Sequence, residues 1–452
     1  MVSFNTIKNM EQNNVYNQKL KNMIKIGIYC NFTKPIDFAK VDEGNPGIGG
    51  TQYCFALLMK SLFKYFCRQV QLTYYMKELN STSELFDCKQ VQNWDQLFRY
   101  VENDKIDFLI IRTELAHTFY EKLAVVKPCI KVVLWSHNYF NASIASLIAK
   151  SSHIVANVFV SKQMYDFYYD HDVILKSTYI FNPVVDNQNL DERNYQPHSA
   201  VYMGSIIEEK GIIQLLKIWD KVLKVYPDAV LKIIGNGNIY FGGKAKLGSL
   251  GIASLALENK IKPFLCNKNE GVKDNYQLLG TLGKEKYHVF KQCAVGIVNP
   301  SAKTETFGLG IIEMATVGLP VVTECWNGHL DTVVNGETGL MSFTIAGMAN
   351  CIIRLFDDRD LNLHLGRNAK ERTAMFAPEE ISRKWYELFV RLKNNQGIER
   401  LPISKPLWNN YKFLRYINSF LKYRCHLSFL PAIVSYETFV NNLLKRIIGF
   451  LR

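Results

Sequence analysis

At 452 residues the chain is too long for one ordinary core and fits two domains. Its 48% hydrophobic and 13% aromatic content excludes a disordered chain, and ten cysteines without a Cys-x-x-Cys pair argue against a disulfide framework or zinc site and for a reducing cytoplasm. The net charge of +13 is uneven, because residues 398–452 alone carry seven of those charges.

Residues 1–22 read as a polar leader without the apolar core of a signal peptide. No run of 18 apolar residues announces a transmembrane helix. Met23–Cys30 is the first buried strand. The loop after it ends in Pro46-Gly47-Ile48-Gly49-Gly50, and Thr51 is placed to cap a helix running to Phe66. A glycine loop between a first strand and a helix is an anion cradle by mechanism, so Gly49 and Gly50 are candidate binding residues. Val70–Tyr75, Ile106–Ile111, Ile130–Trp135 and Ile154–Val160 continue the strands, with helical stretches between them. Residues 23–186 therefore form a doubly wound α/β domain. His137 follows one of its strands, where such domains place ligand or acid–base groups.

Residues 187–198 are polar and read as a hinge. A second domain, 199–377, opens with strand Ala200–Met203, then Gly204-Ser205 and Lys210-Gly211, then a helix through Tyr226. Lys210 would stand where that helix begins and offer a charge to phosphate oxygens. Leu231–Gly237 is a strand and turn that includes Gly235. Gly242–Gly271 is too glycine-rich and irregular for a single helix. Tyr276–Gly280, a helix over Glu285–Gln292 and strand Ala294–Val298 follow.

The stretch Pro300–Thr323, PSAKTETFGLGIIEMATVGLPVVT, organises the rest. It predicts loop, helix and strand, completing a βαβ unit. Glu305 lies at a strand's carboxyl end, where open α/β sheets bind ligands. Gly308 and Gly310 allow close backbone approach, and the N–H groups near Phe307, Gly308 and Leu309 would face an anion. Glu313 lies among Ile311, Ile312, Met314 and Ala315, where a carboxylate needs a hydrogen-bonding partner. A helix starting near Gly308 puts it roughly 8 Å along the axis. Such spacing suits a long polar ligand, or else a plain solvent-facing Glu and a loop Glu.

Glu305 and Glu313, with Asn299-Pro300-Ser301, Thr306-Phe307-Gly308, Gly318–Val322, Gly328–Leu330 and Val333–Leu340 around them, resemble the Glu-x7-Glu motif of the retaining nucleotide-sugar glycosyltransferases of family 4 (group 1). That resemblance, over about 40 residues, implies the GT-B fold: two facing Rossmann-like domains with a cleft between them. It implies that Glu313 holds ribose hydroxyls and that Glu305 positions the donor sugar. Lys210 and the amides of Phe307–Leu309 would hold the diphosphate, with Thr306, Gly204, Ser205 and Gly235 beside the donor. His137, Gly49 and Gly50 would complete the site from the first domain. No metal or other cofactor is expected, with the nucleotide-sugar as co-substrate. The family pattern Gly-Arg-x4-Lys-Gly has Ser205 at the arginine position, which removes one of two expected cations. Lys303 is a substitute or a plain solvated lysine. The Gly-Ser-Leu-Gly-Ile segment resembles an insertion in transferases of lipopolysaccharide-core assembly.

Asp358-Arg359-Asp360 spells a metal-binding element of a different glycosyltransferase fold but reads here as a junction between helices. A helix after Pro378 carries Ile381, Trp385, Leu388, Phe389 and Leu392 in one stripe, and the resemblance implies that this segment, 378–397, crosses back onto the first domain. The tail 398–452 holds ten aromatics, and its last segment from Phe439 to Arg452 is a basic amphipathic helix. It suits either an anionic membrane surface, at the inner face of the cell membrane, or the protein's own first domain. No nucleic-acid-binding module accompanies the charge. The partners implied are a nucleotide-sugar, UDP-sugar by preference, and a saccharide or lipid-linked saccharide acceptor. A non-catalytic glycan-binding scaffold is the alternative from another class. An epimerase or phosphorylase on the same fold is a third.

Overall fold

The computed structural model describes residues 23–31, 36–78, 83–186, 193–237, 246–269, 271–301 and 303–440. The leader 1–22, hinge residues 187–192 and the tail helix beyond Val440 lie outside them.

Two parallel sheets carry the chain. The first orders its strands β3-β2-β1-β4-β5-β6-β7: β1 (Ile24–Tyr29), β2 (Val70–Met76), β3 (Asp87–Gln90), β4 (Phe108–Arg112), β5 (Val132–Ser136), β6 (Ile154–Phe159) and β7 (Ser177–Tyr179). The second runs β10-β9-β8-β11-β12-β13: β8 (Gln196–Met203), β9 (Val230–Ile234), β10 (Tyr276–Gly280), β11 (Cys293–Ile297), β12 (Val321–Glu324) and β13 (Gly339–Ser342). Central strands such as β4 and β11 are buried on both faces because helices cover both sides. That is why they read as continuous apolar runs. Strand order reverses at β1/β4 and at β8/β11, and ligand crevices open at such switch points. The loops after β1, β8 and β11 carry Gly49-Gly50, Gly204-Ser205 and Glu305, so the topology alone gathers them.

Two expectations need correction. The hinge ends early: β8 already includes Gln196, and Arg193 is buried, its guanidinium donating to the carbonyls of Gly318, Cys293 and Ala294. Strands β3 and β7, short and partly polar, were not foreseen. The 242–271 stretch is not a single helix, as expected: among its described residues a helix covers only Leu255–Leu265. The Gly248–Ala253 loop wraps the buried Glu258, which accepts N–H groups from Leu250, Ile252 and Ala253 at 2.7–3.1 Å. Three such donors satisfy a buried carboxylate. The Asp-x-Asp segment is a helix junction as expected, with Asp358 capping Arg359–Arg372 by accepting from Leu361 N.

The helix Pro378–Lys393 packs its stripe on the first domain as anticipated. Trp385 meets Trp135 at 5.1 Å and Phe389 meets Phe108 at 5.6 Å, ring centre to ring centre. The described part of the tail follows it onto the same domain. Lys412 pairs with Asp166 at 2.8 Å, and Arg415 with Glu437 at 2.7 Å beside Asp170. Gln163 joins three segments: it donates twice to Asp331 of the second domain and accepts from Asn409 of the tail.

Candidate active site

A cavity of about 200 Å³ lies between the domains at the two switch points. From the second domain it is lined by Gly204, Ser205, Lys210, Gly235, Glu305, Gly308, Leu309 and Glu313, and from the first by Asn45 and Gly47–Gly50. Ten of the thirteen residues singled out from sequence thus share one wall. Glycine is required at two places. Gly235 has φ +129° and an added Cβ would stand 1.9 Å from the Gly204 carbonyl oxygen. Gly308 has φ +89° and ends the loop where the helix Leu309–Ala315 starts.

Glu305 is held from three sides. Its Oε2 accepts from Lys210 Nζ at 3.0 Å and Asn299 Nδ2 at 3.1 Å, and its Oε1 accepts from Gly308 N at 3.0 Å. Burial alone raises the carboxyl's pKa, but the Lys210 ammonium, the nearby His329 ring and the Asn299 amide outweigh it and hold it at about 2. The amide of Gly308 is therefore spent on Glu305. This corrects the expectation that it faces a diphosphate.

Glu313 is one turn inside its helix and buried. Its Oε1 accepts from Lys286 Nζ at 2.6 Å, with both side chains nearly excluded from solvent. Lys286 also donates to the Asn45 carbonyl of the first domain at 3.2 Å. The solvent-facing reading of Glu313 is excluded. Lys286 was not anticipated. The signal was there: it shares the buried face of the helix Lys286–Lys291 with Tyr287 and Phe290. A lysine on such a face needs an anion.

Ser205 brings no charge; its hydroxyl donates to the Asn236 carbonyl at 3.2 Å. Lys303 does not replace the missing arginine in this cavity. It lines a separate one of about 100 Å³ beside Gln214 and Glu324, whose carboxyl burial pushes up to about 7 against the pull of Lys303. Lys210 and Lys286 are the cations lining the cleft among the described residues.

His137, Thr306 and Phe307 do not line this cavity. The Thr306 hydroxyl donates to the His137 carbonyl at 2.8 Å, tying the two domains together. The His137 ring packs on Trp135 and Phe55 with Nε2 unpartnered among the described residues. Burial, with Arg112 nearby, holds its pKa down at about 3, so it is neutral. Phe307 is buried against Phe181 and Phe376. His329 was also missed as an individual residue. Its Nδ1 meets Thr323 Oγ1 at 2.7 Å and the Glu324 carbonyl at 3.2 Å. The Thr323 hydroxyl is already donated to Val298 O, so Nδ1 carries the proton and Nε2 is left unpartnered, with the ring beside Gly308. Among the described residues no cluster of three or more His, Cys, Asp or Glu side chains could hold a metal.

This arrangement can bind an anion through Lys210 and Lys286 and hydroxyl donors through Glu305 and Glu313. Comparison with known proteins identifies the fold. A sucrose-phosphate synthase from Thermosynechococcus elongatus superposes with a TM-score of 0.61 over 82% of this chain and 100% of its own, at 18% identity. HepE of Anabaena, solved with UDP and glucose, superposes at 0.56 over 81% and 99%, at 14% identity.

The fold is GT-B.

Within this GT-B chain, residues 191–372 match the family model described as glycosyl transferases group 1. That span includes every second-domain residue of the cleft. A glycogen synthase of Mycobacterium tuberculosis is 25% identical over 212 residues, covering 46% of this chain and 46% of its own. The chain thus spans about half the length of that relative.

Proposed function

We propose that the protein is a retaining hexosyltransferase. It transfers a sugar from a nucleotide diphosphate donor, UDP-sugar by preference, to a saccharide or lipid-linked saccharide acceptor in polysaccharide, capsule or lipopolysaccharide assembly, without a metal. The observation that carries this is the convergence of Lys210, Glu305 and Glu313 with the Gly49-Gly50 loop on one interdomain cavity. Glu313 accepts ribose hydroxyls, its orientation fixed by Lys286. Lys210, anchored by Glu305, stabilises the negative charge that develops on the departing diphosphate. Glu305, ionised, orients the donor sugar's hydroxyls. Gly49 and Gly50 approach the donor from the opposite domain. The neighbour solved with UDP supports the choice of donor.

The scaffold reading rests on Ser205, where the family pattern has arginine. A thermal-shift panel of UDP, GDP, ADP and CMP, with and without EDTA, on wild type and Glu313→Ala separates the two in stages. A ligand at ~100 times its dissociation constant adds about 2.7 kcal/mol. We expect UDP to stabilise wild type, not the variant, with EDTA indifferent. No response to any nucleotide refutes the donor site. Binding of a UDP-sugar without hydrolysis or transfer of the sugar favours the scaffold.

A further inference from the structure

The tail helix Lys412–Tyr423 is mounted inside out. Its buried side chains are Lys412, Arg415, Ser419 and Lys422. Its apolar side chains face solvent: Phe413 is 56% exposed, Leu414 52%, and Tyr416, Ile417 and Phe420 are exposed with them. The cause is the first domain's acidic strip. Asp166 takes Lys412 at 2.8 Å, Asp170 and Glu437 flank Arg415, and Asp172 takes Lys422 at 3.4 Å. Three buried cations matched to three aspartates on one surface fix the helix rotation, because turning it over would strand all of them without partners. Tyr411, Phe429, Tyr436 and Phe439 of the tail are exposed as well, while Trp408 packs on Trp326 and Phe343. No described helix is long and apolar enough to cross a membrane.

We propose that this face is a docking surface for an anionic lipid bilayer, which it enters to interfacial depth. Charge decides between occupants. From residue 400 onward the chain has one acid, Glu437, and that one is committed to Arg415. Lys405 and Arg424, before and after the helix in the chain, are exposed cations, and the sequence continues with Lys445, Arg446 and Arg452. A second copy would oppose cation to cation, whereas an anionic headgroup layer complements them while the aromatics enter the interface. The inference gives the membrane side of the proposed lipid-linked acceptor a definite face and rests on that reading. Vesicle binding is measured without sugar transfer, so the two fail separately.

The test is co-sedimentation of the full chain with vesicles of phosphatidylcholine alone or with phosphatidylglycerol added, for wild type and Phe413→Ser/Leu414→Ser/Ile417→Ser/Phe420→Ser. All four positions are exposed or nearly so, and the melting temperature should stay unchanged. We expect wild type to bind phosphatidylglycerol vesicles and the variant to lose at least tenfold in affinity. Equal binding by the variant overturns the proposal and assigns any attachment to the residues after Val440. Equal binding to neutral vesicles overturns its anionic character. A dimer in light scattering that the variant dissolves makes the face an interface between copies instead.

Discussion

The Lys286–Glu313 pair offers the sharpest test of the site, because each member has a definite cost alone. Both side chains are nearly inaccessible, 3% and 4% exposed, and their charged atoms are 2.6 Å apart. Lys286→Met leaves a buried carboxylate without its cation, which costs about 3–5 kcal/mol. In a domain this size that is on the order of 10 °C in melting temperature. Glu313→Gln strands the ammonium with only the Asn45 carbonyl beside it and should also destabilise. The double variant Lys286→Met/Glu313→Gln has no charge left to strand and should return to within about 2 kcal/mol of wild type. Urea unfolding of the four proteins completes the cycle. Nucleotide stabilisation adds a second readout: the double variant should fold yet lose it, because no carboxylate remains for the ribose hydroxyls. Additive destabilisation, or a cost below about 1 kcal/mol for Lys286→Met, would refute both the pair's burial and its role as the support of Glu313.

Acid should weaken the fold through its buried histidines. His137 and His329 are held down to about 3 and about 4 by burial. Their folded values lie below the unfolded one, so the unfolded chain binds more protons below pH 6.5 and stability falls as pH falls from there toward pH 4. Each histidine costs roughly 1.4 kcal/mol between pH 7.5 and 5.5. Glu324, raised to about 7, works in the opposite sense over that range, so the test is the difference between proteins: His329→Asn should lose about 1.4 kcal/mol less than wild type between those two pH values, and an equal loss would contradict neutral burial of its ring. Gly235→Ala should destabilise by at least about 1–3 kcal/mol and abolish UDP stabilisation, since a Cβ there meets the Gly204 carbonyl at 1.9 Å from a left-handed backbone; a wild-type melting curve with full UDP response would show that the β8–β9 contact gives way.

Much of this was legible in sequence because the site follows from topology. Once strand–helix alternation fixes two doubly wound sheets, the loops at their switch points must meet, and Gly49, Gly204, Lys210 and Glu305 sit in those loops. What was not legible depends on side-chain partners far apart in the chain. Nothing near Glu313 in sequence names Lys286, twenty-seven residues earlier and on another helix. The tail reversed the ordinary inference. Its helical periodicity is clear, yet an apolar stripe is expected to face the protein. Here the cationic stripe does, because Asp166, Asp170 and Asp172 lie on the surface beneath it.

The two glutamates of the motif show why spacing underdetermines chemistry. Glu313 is buried and Glu305 half-buried, and both contact a lysine. Glu305 sits in a loop, and its oxygens collect Lys210, Asn299 and the Gly308 amide, so its charge and direction are fixed within its own domain. Glu313 sits inside a helix whose backbone is satisfied, so its direction is set by Lys286. That lysine's other bond goes to Asn45 of the opposing domain. Separating the domains would take the Asn45 carbonyl away from Lys286 without touching Glu305. Glu313 is therefore coupled to domain closure and Glu305 is not. A transferase needs that asymmetry if donor binding is to draw the two halves together before the sugar moves.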